Sequence, residues 1–291
     1  MPIIDSHHHF WKFTPEEYGW IDDSMAALRR DFLPADLHTT LAAAAIQAKS
    51  ASRFGAGVDA AISVQARQSL EETAWLLGMA EQHDFLAGVV GWVPLTDPGV
   101  EQILEHFTAR PKLRAIRHIV QGEPDDRFLL RDNFNRGIRA LTARGLVYDI
   151  LIYERHLPVA IEFVDRHPQQ LFVLDHIAKP RIRDGSWEPW RTHLRELARR
   201  ENVFCKLSGV ATEADFLNLT PANRDQLRPY MNAALEAFGP RRIMFGSDWP
   251  VCLAALPYAD WFAMVNDAID GFSESEREWV LGRTAEQAYG L

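Results

Sequence analysis

The 291-residue sequence has only two cysteines, Cys205 and Cys252. That is too few, and too widely spaced, for a disulfide framework or a CxxC redox or zinc site, so both are expected to be reduced, packed thiols. No apolar run approaches the roughly 20 residues of a membrane span, and no signal-peptide pattern precedes Asp5; the expectation is a cytoplasmic protein with no membrane partner. Basic residues are in deficit, 31 against 40 acidic ones, and the formal charge of −9 argues against a nucleic-acid surface. No stretch has the charge-rich, apolar-poor composition of disorder, since 47% of residues are apolar and 24% charged. Nothing reads as a linker either, and a single domain over residues 1–291 is expected.

What the chain does have is alternation. Short, nearly continuous apolar runs read as strands: Ile3-Ile4, Asp59–Ala66, Phe85–Val93, Leu113–Val120, Leu146–Tyr153, Leu171–His176, Val203–Leu207 and Arg242–Phe245. Helical patterns follow each. Pro34 opens one that runs to about Ala48, and Ser69 with Glu72 forms a capping box for a second reaching about His83. Asp97-Pro98 starts a third, in which Val100, Ile103, Leu104 and Phe107 share a face. Further helices are expected over Asp132–Arg144, Leu157–His167, from a Ser186 cap to about Arg200, up to Phe238, over Tyr258–Ile269, and after a Ser273 cap. Eight strand-then-helix units imply an α/β fold, a (β/α)8 TIM barrel. The alternative, a doubly wound open sheet, would carry a glycine-rich nucleotide loop after a strand, and none is found.

A barrel of this kind does its chemistry at the carboxyl ends of its strands. The residues at those ends are His7 and His9; Gln65 and Arg67; Trp92; Arg117 and His118; Asp149 and Tyr153; Asp175, His176 and Lys179; Lys206 and Ser208; and Ser247-Asp248-Trp249. Any one polar residue there closes a strand unremarked, but a charged or imidazole group at nearly every strand end points to one lined cavity. A histidine triplet also suits a purification tag; here an apolar run and an aspartate precede it, where a tag would lie in polar linker. Two imidazoles one residue apart leave the same face of a strand and can grip one object. The aromatic-rich segment Phe10–Leu33 serves either as a plug over the core or as a wall of the pocket.

Asp5-x-His7-x-His9, His176 after the sixth strand and Asp248 after the eighth resemble the amidohydrolase superfamily. The strings DSHHHFW, RDFLP, VQARQS, LDHIAKP, CKLSG and FGSDWP are similar to its sugar-lactonase branch of L-fuconolactone and L-rhamnono-lactone hydrolases, over essentially the whole chain. The resemblance implies an amidohydrolase-like barrel, hydrolysis of a lactone, Asp248 as general base with His176 beside it, and His7, His9 and Asp248 as the ligands of a divalent ion. The fifth strand has no histidine and no lysine ends the fourth, so a two-metal site is not expected. Two versions stand: one zinc-like ion, or metal-independent catalysis in which His7 and His9 bond the substrate.

Residues suited to a polyol substrate are Gln65, Arg67, Arg117, His118, Tyr153, Trp92 and Trp249. Arg67 and Arg117 would equally clamp a carboxylate, which points to a muconate- or pyrone-type lactone instead. A metal-dependent aromatic-acid decarboxylase of the same superfamily and a sugar-acid-binding barrel that has lost activity are the remaining alternatives. The partner expected is a small molecule; self-association as a homo-oligomer is left open.

Overall fold

The computed structural model describes residues 1–51 and 57–291, and for residues 47–51 the backbone alone. Eight parallel strands lie in sequence order in one sheet: β1 Ile4–His8, β2 Ala60–Val64, β3 Leu86–Gly91, β4 Leu113–Ile119, β5 Val147–Leu151, β6 Phe172–Leu174, β7 Val203–Leu207 and β8 Ile243–Phe245. Just past its end, β8 returns to β1. His8 and Trp249 form a parallel bridge, the Asp248 amide donates to the His7 carbonyl at 2.8 Å, and the His9 amide donates to the Trp249 carbonyl at 2.6 Å. The barrel is thus closed at the rim, where His7, His9 and Asp248 sit.

Helices alternate with the strands: α1 Pro34–Ala51, α2 Leu70–Gln82, α3 Val100–Thr108, α4 Asp132–Thr142, α5 Leu157–Asp165, α6 Trp190–Leu197, α7 Arg228–Phe238 and α8 Tyr258–Ala268. Two short helices, α9 Glu274–Glu278 and α10 Thr284–Tyr289, end the chain. None of these is long and apolar enough to cross a membrane. Ser273 and Glu276 make the reciprocal cap expected before α9. The other two caps differ from expectation. Ser69 accepts from the Glu72 amide at 3.1 Å, but the Glu72 carboxylate turns away to the amides of Ala66 and Arg67 at 3.0 and 2.7 Å, tying down the loop after β2. Ser186 caps nothing, because Pro189 stands at the head of α6.

Strand alternation builds the interior in two storeys. On β7, Val203, Cys205 and Leu207 join the outer core against the helices, while Phe204 and Lys206 face into the barrel. On β5, Tyr148 and Ile150 pack outward while Val147 and Asp149 face inward. The lower storey is apolar: Ile62, Val64, Val90, Ala115, Val147, Val173, Phe204 and Met244, closed from below by Ala285, Ala288 and Tyr289 of α10. The upper storey is charged. Fully apolar strands would have filled it with aliphatic side chains; single charges placed inside otherwise apolar runs instead build a floor for the site.

Candidate active site

That floor is an ion network with almost no exposure. Lys206 Nζ lies 2.6 Å from Asp149 Oδ2, 3.1 Å from Asp175 Oδ1 and 3.2 Å from His7 Nδ1. Asp149 also accepts from the Tyr289 hydroxyl at 2.9 Å, a bond that reaches up from the C-terminal helix. Arg117 Nη1 donates to Asp175 Oδ2 at 2.9 Å, and its Nη2 donates to the Gln65 carbonyl. Burial alone would raise the Asp175 carboxyl, but Lys206, His7 and Arg117 outweigh it and hold it well below the ordinary range. The network fixes His7 from beneath: its Nδ1 meets Lys206 and, at 3.4 Å, Asp175 Oδ1. Burial, reinforced by the Lys206 charge and opposed by Asp175, drives His7 well below the usual imidazole value, so the ring is neutral.

Asp5, on β1, is not in the cavity but faces α8. It accepts from the Ser247 amide at 2.8 Å, from the Ser247 hydroxyl at 2.5 Å and from the Tyr258 hydroxyl at 3.1 Å, thereby locking the loop that carries Asp248.

Above the floor, three acceptor atoms converge. His9 Nδ1 donates to the Val64 carbonyl at 2.8 Å, which turns Nε2 toward the cavity. That atom is 3.2 Å from His7 Nε2 and 3.3 Å from Asp248 Oδ1, and the third side of the triangle is 3.7 Å. Asp248 Oδ1 is buried and, among the described residues, has no hydrogen-bond donor. Tetrahedral coordination with bonds of about 2.0–2.1 Å sets neighbouring donors roughly 3.3–3.4 Å apart. Two imidazole nitrogens and a carboxylate oxygen at these spacings therefore fit one divalent ion. His176 joins the group: ring or carboxylate atoms of His7, His176 and Asp248 lie within 4.8 Å of one another. For Asp248, burial works upward, but His176, His9 and Lys179 outweigh it and hold the carboxyl below its ordinary value, so it is ionised at neutral pH.

The backbone that presents His176 is unusual. β6 stops at Leu174, two residues before the expected end, and His176, Ile177, Ala178 and Lys179 follow with φ of 54, 48, 61 and 48°. Left-handed backbone costs about 1–2 kcal/mol per non-glycine residue, and a β-branched residue such as Ile177 suits it worst. The turn is held by the burial of Ile177 and Ala178 and by Trp190, whose indole donates to the Ile177 carbonyl at 2.8 Å. His176 Nδ1 then pairs with Ser208 Oγ at 2.9 Å, and burial lowers the ring to a pKa of about 4. Gly209 leaves the room for this: a Cβ there would fall 2.5 Å from His176 Nδ1.

The remaining residues singled out from sequence are distributed as follows. Gln65 is buried and donates to the Arg117 carbonyl at 3.3 Å. Trp92 donates to His118 Nδ1 at 3.2 Å, His118 pairs with Glu123 at 2.7 Å, and the His118 ring stacks on Phe128, so these two form a side cluster of their own. Tyr153 is partly exposed beside Lys179. Arg67 pairs with Glu17 and stacks over Tyr18. Trp249, a candidate for contact with substrate, is 1% exposed and packs edge-on against Phe10 and Phe32, and its carbonyl joins the rim bonds with β1. Both arginines that offered a carboxylate clamp are engaged, Arg117 by Asp175 and Arg67 by Glu17. The Asp149–Lys206–Asp175 network and the contribution of Tyr289 from the far end of the chain were not anticipated as a unit. The signal for them was a lone charge in each of the runs Val147–Leu151 and Val203–Leu207.

Comparison with known proteins gives a consistent result. A model of the amidohydrolase family matches residues 4–291. The L-fucono-1,5-lactonase of Burkholderia multivorans is 40% identical, over 99% of this chain and 96% of its own, and that of Burkholderia ambifaria is 36% identical over 99% and 95%. A crystal structure of an amidohydrolase from Burkholderia multivorans with bound zinc is similar to this fold at a TM-score of 0.90 and 39% identity, over the full length of both chains.

Proposed function

This chain belongs to the amidohydrolase family, and from that premise we propose that it is a hydrolase that opens the ring of a sugar-acid lactone, with Asp248 as the general base. The observation that carries the reading is the Asp248 carboxylate: ionised, buried, with an oxygen that has no donor among the described residues, and facing the Nε2 atoms of His7 and His9.

Asp248 accepts a proton from water as the water oxygen attacks the lactone carbonyl. Charge grows on the carbonyl oxygen. His176 answers it: with Ser208 donating to Nδ1, the neutral ring offers its other nitrogen as an N–H donor, and the Arg117 guanidinium, 3.3 Å from His7 Nε2, supplies positive charge at the same edge. When the ring C–O bond breaks, protonated Asp248 returns its proton to the departing alkoxide. One carboxylate serves both transfers, which its low pKa permits because the alkoxide is a far stronger base.

His7, His9 and Asp248 would hold a divalent ion, and bound there it would polarise the carbonyl and acidify the attacking water. The residues are arranged for the proton transfers with or without it. The substrate is a free small molecule, and the site leaves no uncommitted arginine among those proposed to hold a carboxylate, which favours a neutral sugar lactone. A cytoplasmic location fits such a substrate.

A panel of neutral sugar lactones and carboxylated lactones, followed by proton release, tests the reading. Turnover of sugar lactones is expected; turnover of the carboxylated ones alone would overturn it.

A further inference from the structure

The left-handed turn after β6 delivers two side chains, and only His176 has so far been given a task. Lys179, at its end, projects to the mouth of the same cavity, where its ammonium lies 3.6 Å from Glu213 Oε1 and 5.8 Å from the centroid of the Tyr153 ring. Both charged side chains are only 19% exposed. Glu213 comes from the short turn Ala211–Glu213, two residues beyond Gly209, and so from the same loop that makes room for His176. The pair borders the catalytic acid closely enough that Lys179 stabilises the Asp248 carboxylate, while burial, with Asp248 adding to it, pushes Glu213 up.

We propose that Lys179 and Glu213, standing as a loose ion pair beside Asp248, form a subsite for the hydroxyl groups of the substrate. At 3.6 Å the pair is looser than a direct hydrogen bond, and a ligand oxygen lying to one side of the N···O axis is within hydrogen-bond reach of both. Lys179 has donors to spare and Glu213 has acceptor lone pairs to spare. A hydroxyl matches both at once, its oxygen accepting from the ammonium and its hydrogen donating to the carboxylate. The pair carries no net charge, so it gives neither an anionic nor a cationic ligand group a net attraction, whereas a neutral hydroxyl uses both partners. The strained backbone fits this role, since it fixes the binding group and His176 at a constant separation on one rigid turn.

The subsite rests on the lactonase reading above, and the test separates the two. The steady-state kcat/KM of wild type, Lys179→Met and Glu213→Gln is measured on a hydroxylated δ-lactone and on δ-valerolactone, the same ring without hydroxyls. Removing either charge also alters Asp248, but that acts on both substrates alike, so the ratio of the two kcat/KM values isolates the subsite. The ratio is expected to fall about tenfold or more in each variant, the scale of one charge-assisted hydrogen bond. A ratio within threefold of wild type in both variants overturns the proposal.

Calorimetric titration with a hydroxylated δ-lactam, which occupies the site without being opened, gives a second readout that needs no turnover. Its Kd should rise about tenfold in Lys179→Met. An unchanged Kd counts against the subsite even if lactones are hydrolysed, and a raised Kd supports it even if the wild type opens no lactone at all.

Discussion

His9 donates through Nδ1 to the Val64 carbonyl at 2.8 Å, and that one bond to the end of β2 turns its Nε2 toward Asp248 Oδ1 at 3.3 Å. A backbone carbonyl thereby sets the tautomer of an imidazole and the direction of its lone pair. The expected consequence is uptake of one zinc ion per chain, measured by competition with a chromophoric chelator. His9→Ala should weaken zinc binding at least about tenfold, since outer partners of such sites alone are worth about 10–100-fold. Equal affinity in wild type and variant would remove His9 from the ligand set.

Lys206 is enclosed by Asp149, Asp175 and His7, with no exposure. Lys206→Met leaves two buried carboxylates without their shared cation, and breaking a buried pair in this way costs about 3–5 kcal/mol. Urea unfolding should show a loss of that size, with Lys206→Met/Asp149→Asn recovering part of it. A loss under about 1 kcal/mol would mean that water or a rearranged side chain compensates the charges.

Gly209 combines φ of 63° with a Cβ position 2.5 Å from His176 Nδ1. Gly209→Ala should keep the fold and displace His176 from Ser208, lowering kcat about tenfold or more, because misplacing a catalytic group by about 1 Å costs as much as a hundredfold. Unchanged kcat would show that His176 needs no fixed position.

Glu72 is 1% exposed, and burial raises its pKa from 4.5 to about 7 against the pull of Arg67 and the amides it accepts from. The folded protein therefore holds this proton more tightly than the unfolded chain does. The resulting stabilisation is complete below about pH 4.5 and fades as pH rises through 7. Between those limits the wild type should lose up to about 3 kcal/mol more than Glu72→Gln, by 1.36 kcal/mol per pKa unit. Parallel stability curves for the two proteins would place the glutamate's charge in contact with solvent.

The barrel was legible because its strands are largely apolar and each is followed by a 3.6-residue pattern; most strand limits moved inward by one or two residues, as at β5, expected over Leu146–Tyr153 and found over Val147–Leu151, whereas β7 kept its limits and β1 ran on to His8. His7, His9, His176 and Asp248 could be placed together because each ends a strand of a closed barrel. The left-handed turn at His176–Lys179 could not be read, since no glycine or asparagine marks it and tertiary packing alone enforces it. The burial of Trp249 could not be read for a related reason: its position on the rim was correct, but its ring packs against Phe10 and Phe32. Ser186 failed as a cap because Pro189, which has no N–H of its own to satisfy, stands immediately before α6.

The most direct measurement is proton release from a sugar-acid lactone by wild type and by Asp248→Asn, which keeps the shape of the side chain and removes its basicity. The wild type should open the ring, and the variant should turn over at least about a hundredfold more slowly, the usual span of general-base catalysis. An inactive wild type, or a variant that keeps pace with it, would contradict the role given to Asp248.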